Sequence, residues 1–249
     1  FDSGDWTGQL LAFPISTTGT IGAQAWDAAS LIPSIANNRV IITHDGSDGQ
    51  PFRWASLSVA QQGLLGSPSI LDYLRGDQSN ESNLGGTFRN RTSLLGDIVH
   101  SSPTYVGPPS LNYPNGLGTN ITAANYSSFK TNNNGRQPML YVGSNDGMMH
   151  GFNADTGVEV FAYTPNAVMN KLAELSDVNY NHKYYVDESP VIVDAFFGTP
   201  AAWHSVLVSG LRSGGQGIFA LDDTDPTDFT SEATAKDKVL WEFTDNDDS

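Results

Sequence analysis

Met139-Leu-Tyr-Val-Gly-Ser144, Asn145-Asp146-Gly147, Met148-Met-His-Gly-Phe152, Asp155-Thr156-Gly157 and Val158-Glu-Val-Phe-Ala-Tyr163 follow one another almost without a break. Short apolar runs separated by glycine turns are the pattern of antiparallel strands, and Asp-Gly supplies the positive φ that tight hairpins require. Further along, the same module reads His204-Ser-Val-Leu-Val-Ser-Gly210, Gly214-Gly215-Gln216-Gly217, Ile218-Phe-Ala-Leu221 and Lys238-Val-Leu-Trp-Glu-Phe243. An earlier copy enters part-way, as Gly8-Gln-Leu-Leu-Ala-Phe13 and Ala23-Gln-Ala-Trp-Asp-Ala28. A single sheet of this kind cannot bury its own apolar faces, so copies must stack, which predicts a repeat architecture.

Aligned copies give the organisation. A small residue followed by a large apolar one recurs at Ala12-Phe13, Gly151-Phe152 and Ala220-Leu221; aromatic-led pairs recur at Trp26/Ala28, Phe161/Tyr163 and Trp241/Phe243. Period-two alternation places each pair on one face of a strand. Ahead of the two full copies lie Ile98-Val-His-Ser-Ser-Pro103-Thr-Tyr-Val106 and Tyr185-Val-Asp-Glu-Ser-Pro190-Val-Ile-Val193. Proline lacks a ladder donor, so both prolines belong at an edge or a strand entry. Four strands per unit in meander order describe an all-β fold, a β-propeller of four-stranded antiparallel blades.

The chain is read as one propeller fragment. Residues 1–54 are a partial blade and a hairpin, in which Arg39–Thr43 and Pro51–Trp54 flank a glycine turn; 55–96 are a helical and loop insertion, and 97–165 and 184–249 are blades. Ser58 and Ser67-Pro68 are helix-start signals. Residues 76–91 and 108–137, polar and rich in turn formers, read as surface loops. A ring needs four to eight blades and this chain supplies about three and a half, so further blades are expected outside it.

Net charge is −15, with 27 acidic residues against 12 basic, which disfavours nucleic acid and anionic membrane surfaces as partners. No apolar run approaches the ~20 residues that span a bilayer, so membrane insertion is not expected. Residues 1–5 lack the basic and apolar segments of a signal peptide. Cysteine is absent, which excludes disulfides, thiolate catalysis and cysteine-ligated zinc.

Arg75-Gly76-Asp77 is the tripeptide that integrins read, and it forms a candidate binding site; the competing reading is a helix end with Gly76 as its cap. Asp222, Asp223, Asp225 and Asp228 form one acidic cluster, and Asp245, Asn246, Asp247 and Asp248 another. Calcium takes six to eight oxygens, so Asp245 and Asp247 are weak candidate ligands, but both clusters lack the glycine and distal carboxylate of an EF-hand loop. Asx turns are the favoured account of both clusters. His44, His100, His150, His182 and His204 show no ligand spacing and are read as residues with ordinary hydrogen bonds. Asp97 is expected to cap backbone donors where blades meet, with no histidine partner implied. Gly214–Gly217 lies between strands and is a hairpin, not a phosphate cradle. Sequons at Asn80, Asn90, Asn120 and Asn125 mark exposed loops. No catalytic residues emerge.

Several runs taken in order resemble a known family. They are Trp6-Thr-Gly-Gln-Leu-Leu-Ala-Phe13, Tyr73-Leu-Arg-Gly-Asp77, Arg91-Thr-Ser-Leu-Leu-Gly-Asp-Ile-Val-His-Ser-Ser-Pro103, Tyr141–Phe152, Tyr184–Pro190 and Gly214–Asp222. The resemblance is to the C-terminal propeller of the type IV pilus biogenesis and tip adhesin family, PilY1/PilC. It implies a modified seven-bladed propeller and export to the pilus tip, outer membrane surface or periplasm of a Gram-negative bacterium. It also implies contact with pilin or minor pilins, with a host surface receptor as a further partner, in assembly, twitching motility and attachment. The family's calcium loop is expected beyond residue 249. An alternative is the propeller of a pyrroloquinoline-quinone dehydrogenase, whose repeats resemble Asp146 to Gly157. That enzyme needs a calcium-held quinone, a catalytic aspartate and a tryptophan floor, which cannot be assembled from these residues. Shared repeats report a fold, not an activity.

Overall fold

The computed structural model describes residues 5–116 and 125–247. Readings that touch residues 1–4, Asn120 or Asp248 lie outside the described residues. In chain order the elements are β1 (Leu11–Ala12), β2 (Trp26–Asp27), α1 (Ala28–Leu31), β3 (Ile41–His44), β4 (Gly49–Pro51), α2 (Val59–Leu65), α3 (Pro68–Leu74), β5 (Thr104–Val106) and α4 (Tyr126–Asn132). They continue as β6 (Met139–Ser144), β7 (Met148–Asn153), β8 (Glu159–Thr164), α5 (Met169–Leu172), β9 (Val191–Gly198), β10 (Ala201–Gly210), β11 (Gly217–Asp222), α6 (Glu232–Ala235) and β12 (Val239–Thr244).

These strands make a C-terminal sheet in the order β12-β11-β10-β9, a central sheet in the order β4-β3-β8-β7-β6-β5, and the small pair β1-β2. Pro103 and Pro190 each stand immediately before a strand, β5 and β9, where the missing N–H costs no ladder bond. The β3-β4 hairpin pairs with neither β1 nor β2; β3 adds to the central sheet, running parallel to β8 with Ile41 opposite Ala162. Parallel pairing joins segments distant in sequence, so local pattern carried no sign of it. The short helices start where side chains satisfy free N–H groups: Ser58 and Gln61 form a capping box on α2, and Ser67 caps α3 ahead of Pro68. The 108–137 loop holds a helix, α4, capped by Asn125, whose Tyr126 and Phe129 pack on Trp203 of β10.

Cross-strand partners share a face, so the register shows how the sheets stack. On one side of the central sheet, Val142 and Phe152 pack with Leu10, Ala28 and Ile32 from the β1-β2 region. On the other side, Met139, Tyr141, Phe161 and Tyr163 share a core with Leu207, Phe219 and Leu221 of the C-terminal sheet. Phe161 stacks on Phe229 with ring centroids 3.8 Å apart, and the Tyr163 hydroxyl donates to Glu242 across the same interface.

Gly157 marks a tight point in this stacking. Its φ is +74°, and a Cβ built there would lie 2.6 Å from the Trp26 ring of the neighbouring sheet. Gly157→Ala is therefore expected to lower unfolding stability by about 2 kcal/mol, from backbone strain and overpacking together. Gly63→Ala, in α2 with nothing within 4 Å, is the control and should be neutral or stabilising in the same urea titration.

Candidate functional site

The Arg-Gly-Asp tripeptide is not displayed. Arg75 ends α3 at 1% exposure, and its guanidinium donates to the carbonyl oxygens of Phe52 (2.8 Å), Ala36 (3.0 Å) and Arg39 (2.9 Å). It also pairs with Glu232 at 2.9 Å. An arginine so enclosed has no charge to offer a receptor, which corrects the integrin-type reading of Arg75, Gly76 and Asp77. Gly76, at φ +115°, instead closes the helix, its N–H reaching the Tyr73 carbonyl at 2.9 Å. Asp77 accepts from the Ser79 N–H at 2.8 Å, as a turn residue does.

The acidic loops are also turn chemistry. Asp222 accepts from the Thr224 N–H at 3.0 Å, Asp225 from the Thr227 N–H at 3.0 Å, and Asp247 from the Thr244 N–H at 2.7 Å. Asp245 opens the final single turn, Asp245–Asp247. Asp223 is buried, takes the Tyr141 hydroxyl, and is pushed up to about 7 by that burial. Among the described residues no three His, Cys, Asp or Glu side chains converge to hold a metal.

The histidines hold more than ordinary hydrogen bonds: His100, His150, His182 and His204 each face a carboxylate. His100 Nδ1 meets Asp187 at 2.6 Å, and these residues hold equivalent places in the two Ser-Pro segments, 87 positions apart. At the same spacing Ser101 donates to the Glu188 carbonyl at 3.0 Å, and the Ser102 N–H donates to Ser189 Oγ at 2.8 Å. Thr104 then donates to the Pro190 carbonyl at 2.8 Å. The two repeats thus lie side by side, each residue bonding to or beside its own counterpart.

Asp97 anchors one end of this seam. Its carboxylate receives Asn145 Nδ2 at 2.9 Å and His182 Nε2 at 2.8 Å, while its carbonyl takes the Asn145 N–H at 3.0 Å. The Trp6 ring covers His182 at 4.3 Å. Asp97 therefore does sit where the sheets meet, but the expectation that it lacks a histidine partner is corrected. The 85 residues between His182 and Asp97 hid the pair from any local motif.

Behind the seam runs a buried line of charge. Arg39 forks onto Glu159 with both contacts at 2.7 Å; Glu159 meets His150 Nδ1 at 2.8 Å, and His150 Nε2 meets Asp146 at 3.0 Å. Asp146 in turn accepts the Gly96 N–H at 2.9 Å. Burial pulls the His150 imidazole down, but Asp146 and Glu159 outweigh it and hold its pKa up at about 9. Burial would raise Glu159, but Arg39 and His150 prevail and hold it down to about 2. With carboxylates on both ring nitrogens, the imidazolium is the form that satisfies both. Nothing in the strand pattern of Val158–Tyr163 distinguished Glu159; its approach to Arg39 across 120 positions is tertiary.

Mostly antiparallel sheets stacked face to face and laced by paired charges define a sheet-repeat scaffold. The chain belongs to the PilY1 family: the model of the PilY1 beta-propeller domain matches residues 95–249. The chain is 39% identical to the type IV pilus biogenesis factor PilY1 of Pseudomonas aeruginosa (strain UCBPP-PA14), over 98% of this chain and 22% of that protein. It is 40% identical to a PilY1 homolog of Xylella fastidiosa (strain Temecula1), over 99% of this chain and 19% of that protein. The crystal structure of the Pseudomonas aeruginosa PilY1 C-terminal domain is similar over 58% of this chain and 26% of its own, at 44% identity and a TM-score of 0.41. The chain thus spans about a fifth of the curated relatives it matches. The curated relatives carry the name of a pilus biogenesis factor, not that of a quinoprotein dehydrogenase. Among the described residues no helix is long and apolar enough to cross a membrane.

Proposed function

We propose that this chain is part of a β-propeller of four-stranded blades, in a pilus biogenesis factor and tip-associated adhesin that works by protein contact. The observation that carries this reading is the seam, where His100 bonds Asp187 and Ser102 bonds Ser189 at a constant spacing of 87. Equivalent segments of successive sheets meet side by side when sheets are arranged radially about an axis. A contact role fits a molecule in which Arg39, Glu159 and His150 are buried against one another, while most of the acidic residues lie outside the core. Pilin or minor pilins are the proposed partners, in assembly, twitching motility and surface attachment, at the pilus tip or outer surface of an exported protein. A host surface receptor is a further partner on this reading, reached by some surface other than Arg75. Calcium enters only through family resemblance, in a loop beyond residue 249.

The test is genetic. Removing the codons for residues 95–249 in frame is expected to abolish surface pili and the twitching zone while the pilin pool persists. Normal piliation and twitching in that strain, with the shortened protein still exported, would overturn the role.

A further inference from the structure

The two Ser-Pro segments run in step for a few residues and then part. At the spacing of 87, Thr104 answers to Val191 and Val106 to Val193. There the central sheet's strand stops: β5 is 3 residues long and ends at Gly107-Pro108-Pro109. Its counterpart β9 runs on for 8 residues, with Ala195 and Phe196 where the β5 segment has its two prolines. Each strand lies at the end of its sheet. Proline has no N–H to offer, so the β5 edge is closed just past the strand. The β9 edge is undefended. It carries no proline or lysine, and its one charged residue, Asp194, is buried. Such an edge presents a row of main-chain donors and acceptors to any strand that can reach it.

Where the two chains part they leave a groove of about 180 Å³, whose lining includes Tyr105, Pro108, Pro109, Arg136, Val193 and Asp194. Tyr105 is 64% exposed and Val193 37%. Arg136 is the one cation among the lining residues. Its guanidinium is fixed by two backbone carbonyls, those of Gly107 and of Asp223, the latter at 3.2 Å. Its Nε–H is enclosed and meets no acceptor among the described residues. None of the ion pairs among the described residues includes it either. Asp194 faces the same groove, but its oxygens are taken by the Tyr126 hydroxyl at 2.5 Å and the Ser205 hydroxyl at 2.7 Å. Arg136 is thus an oriented cation with a donor to spare, beside an open strand edge.

We propose that this groove takes an extended peptide segment of a partner protein, added to β9 as a further strand, with an aspartate or glutamate side chain paired to Arg136. Main-chain pairing along the edge supplies the affinity, and alternate side chains seated against Tyr105 and the prolines supply the fit. The carboxylate completes the charge of Arg136, which carbonyl oxygens alone leave unneutralised.

The test pans a phage-displayed library of random peptides on the immobilised full-length protein. Enriched peptides are expected to share an acidic residue, and a synthetic copy should protect the outward-facing β9 amides from hydrogen exchange. Changing its acid to the amide should weaken binding to the wild type roughly tenfold, and hardly at all to Arg136→Gln. Tyr105→Ala removes a mostly exposed ring, leaves the fold intact and should also weaken binding. A library that yields no binder overturns the proposal, as do peptides that bind both variants as tightly as the wild type. So does protection of those β9 amides before any peptide is added, which would make the occupant another part of the same chain or a second copy. The groove is read by peptide binding alone, so a failure of the pilus role would show in the deletion strain and leave this result untouched.

Discussion

Replacing Arg75 by alanine is expected to lower the unfolding free energy by about 3–5 kcal/mol, a large share of a typical domain's stability. The guanidinium donates to the Phe52 and Ala36 carbonyls, and it shares Glu232 with Arg53. Glu232 also accepts the Ile41 N–H at 3.3 Å, so one side chain ties α6 to α3 and to the β3-β4 hairpin. Without Arg75, the carbonyls lose the guanidinium donor and Glu232 keeps the Ile41 N–H and the partly exposed Arg53. Arg75→Lys keeps the charge but not the planar fork, and should fall between. Asp77→Ala, two residues on, removes one exposed turn bond and should cost about 1 kcal/mol or less. Urea midpoints of the three variants decide the matter. An Arg75→Ala midpoint equal to that of Asp77→Ala would mean the clamp contributes nothing.

Raising the pH from 6 to 10 is expected to weaken the fold through His150. Its folded pKa, about 9, stands above the ordinary value near 6.5, so the protonated ring stabilises the native state fully below pH 6.5. That contribution, roughly 3 kcal/mol, declines above pH 6.5 and is lost once the pH passes about 9. Glu159 acts at the other end. Held down to about 2 from an ordinary value near 4.5, it stabilises fully above pH 4.5 and loses its contribution as the pH falls toward 2. Between 4.5 and 6.5 both are charged and the Arg39–Glu159–His150–Asp146 line is complete. Asp223, raised to about 7, adds its own decline between pH 3.8 and 7, so the comparison is made against His150→Gln. That variant should be less stable at pH 6 and show a flatter slope from pH 7 to 9.5. A slope as steep as that of the wild type would remove His150 as the cause.

Strands β6, β7 and β8 were legible because alternation and Asp-Gly turns act over a few residues, and the structure places them within a residue or so of the sequence reading. The starts of α2 and α3 were legible for the same reason, since a serine cap needs only the next three residues. Arg75 was misleading. A helix-ending Arg-Gly-Asp looks exposed in sequence, and only the carbonyls of residues 36, 39 and 52 arriving around it bury the charge. The helix α4 was hidden because its apolar residues, Tyr126 and Phe129, find their partner Trp203 far along the chain. The seam escaped as well, since its histidines and carboxylates are 85 to 87 positions apart.

The sequence by itself determined the repeated strand module and its turns, because each rests on interactions between residues close along the backbone. Tertiary structure alone decided which charges meet and that β3 joins β8 in parallel. Those outcomes depend on desolvation, and a side chain's exposure to water is settled only when distant segments close around it.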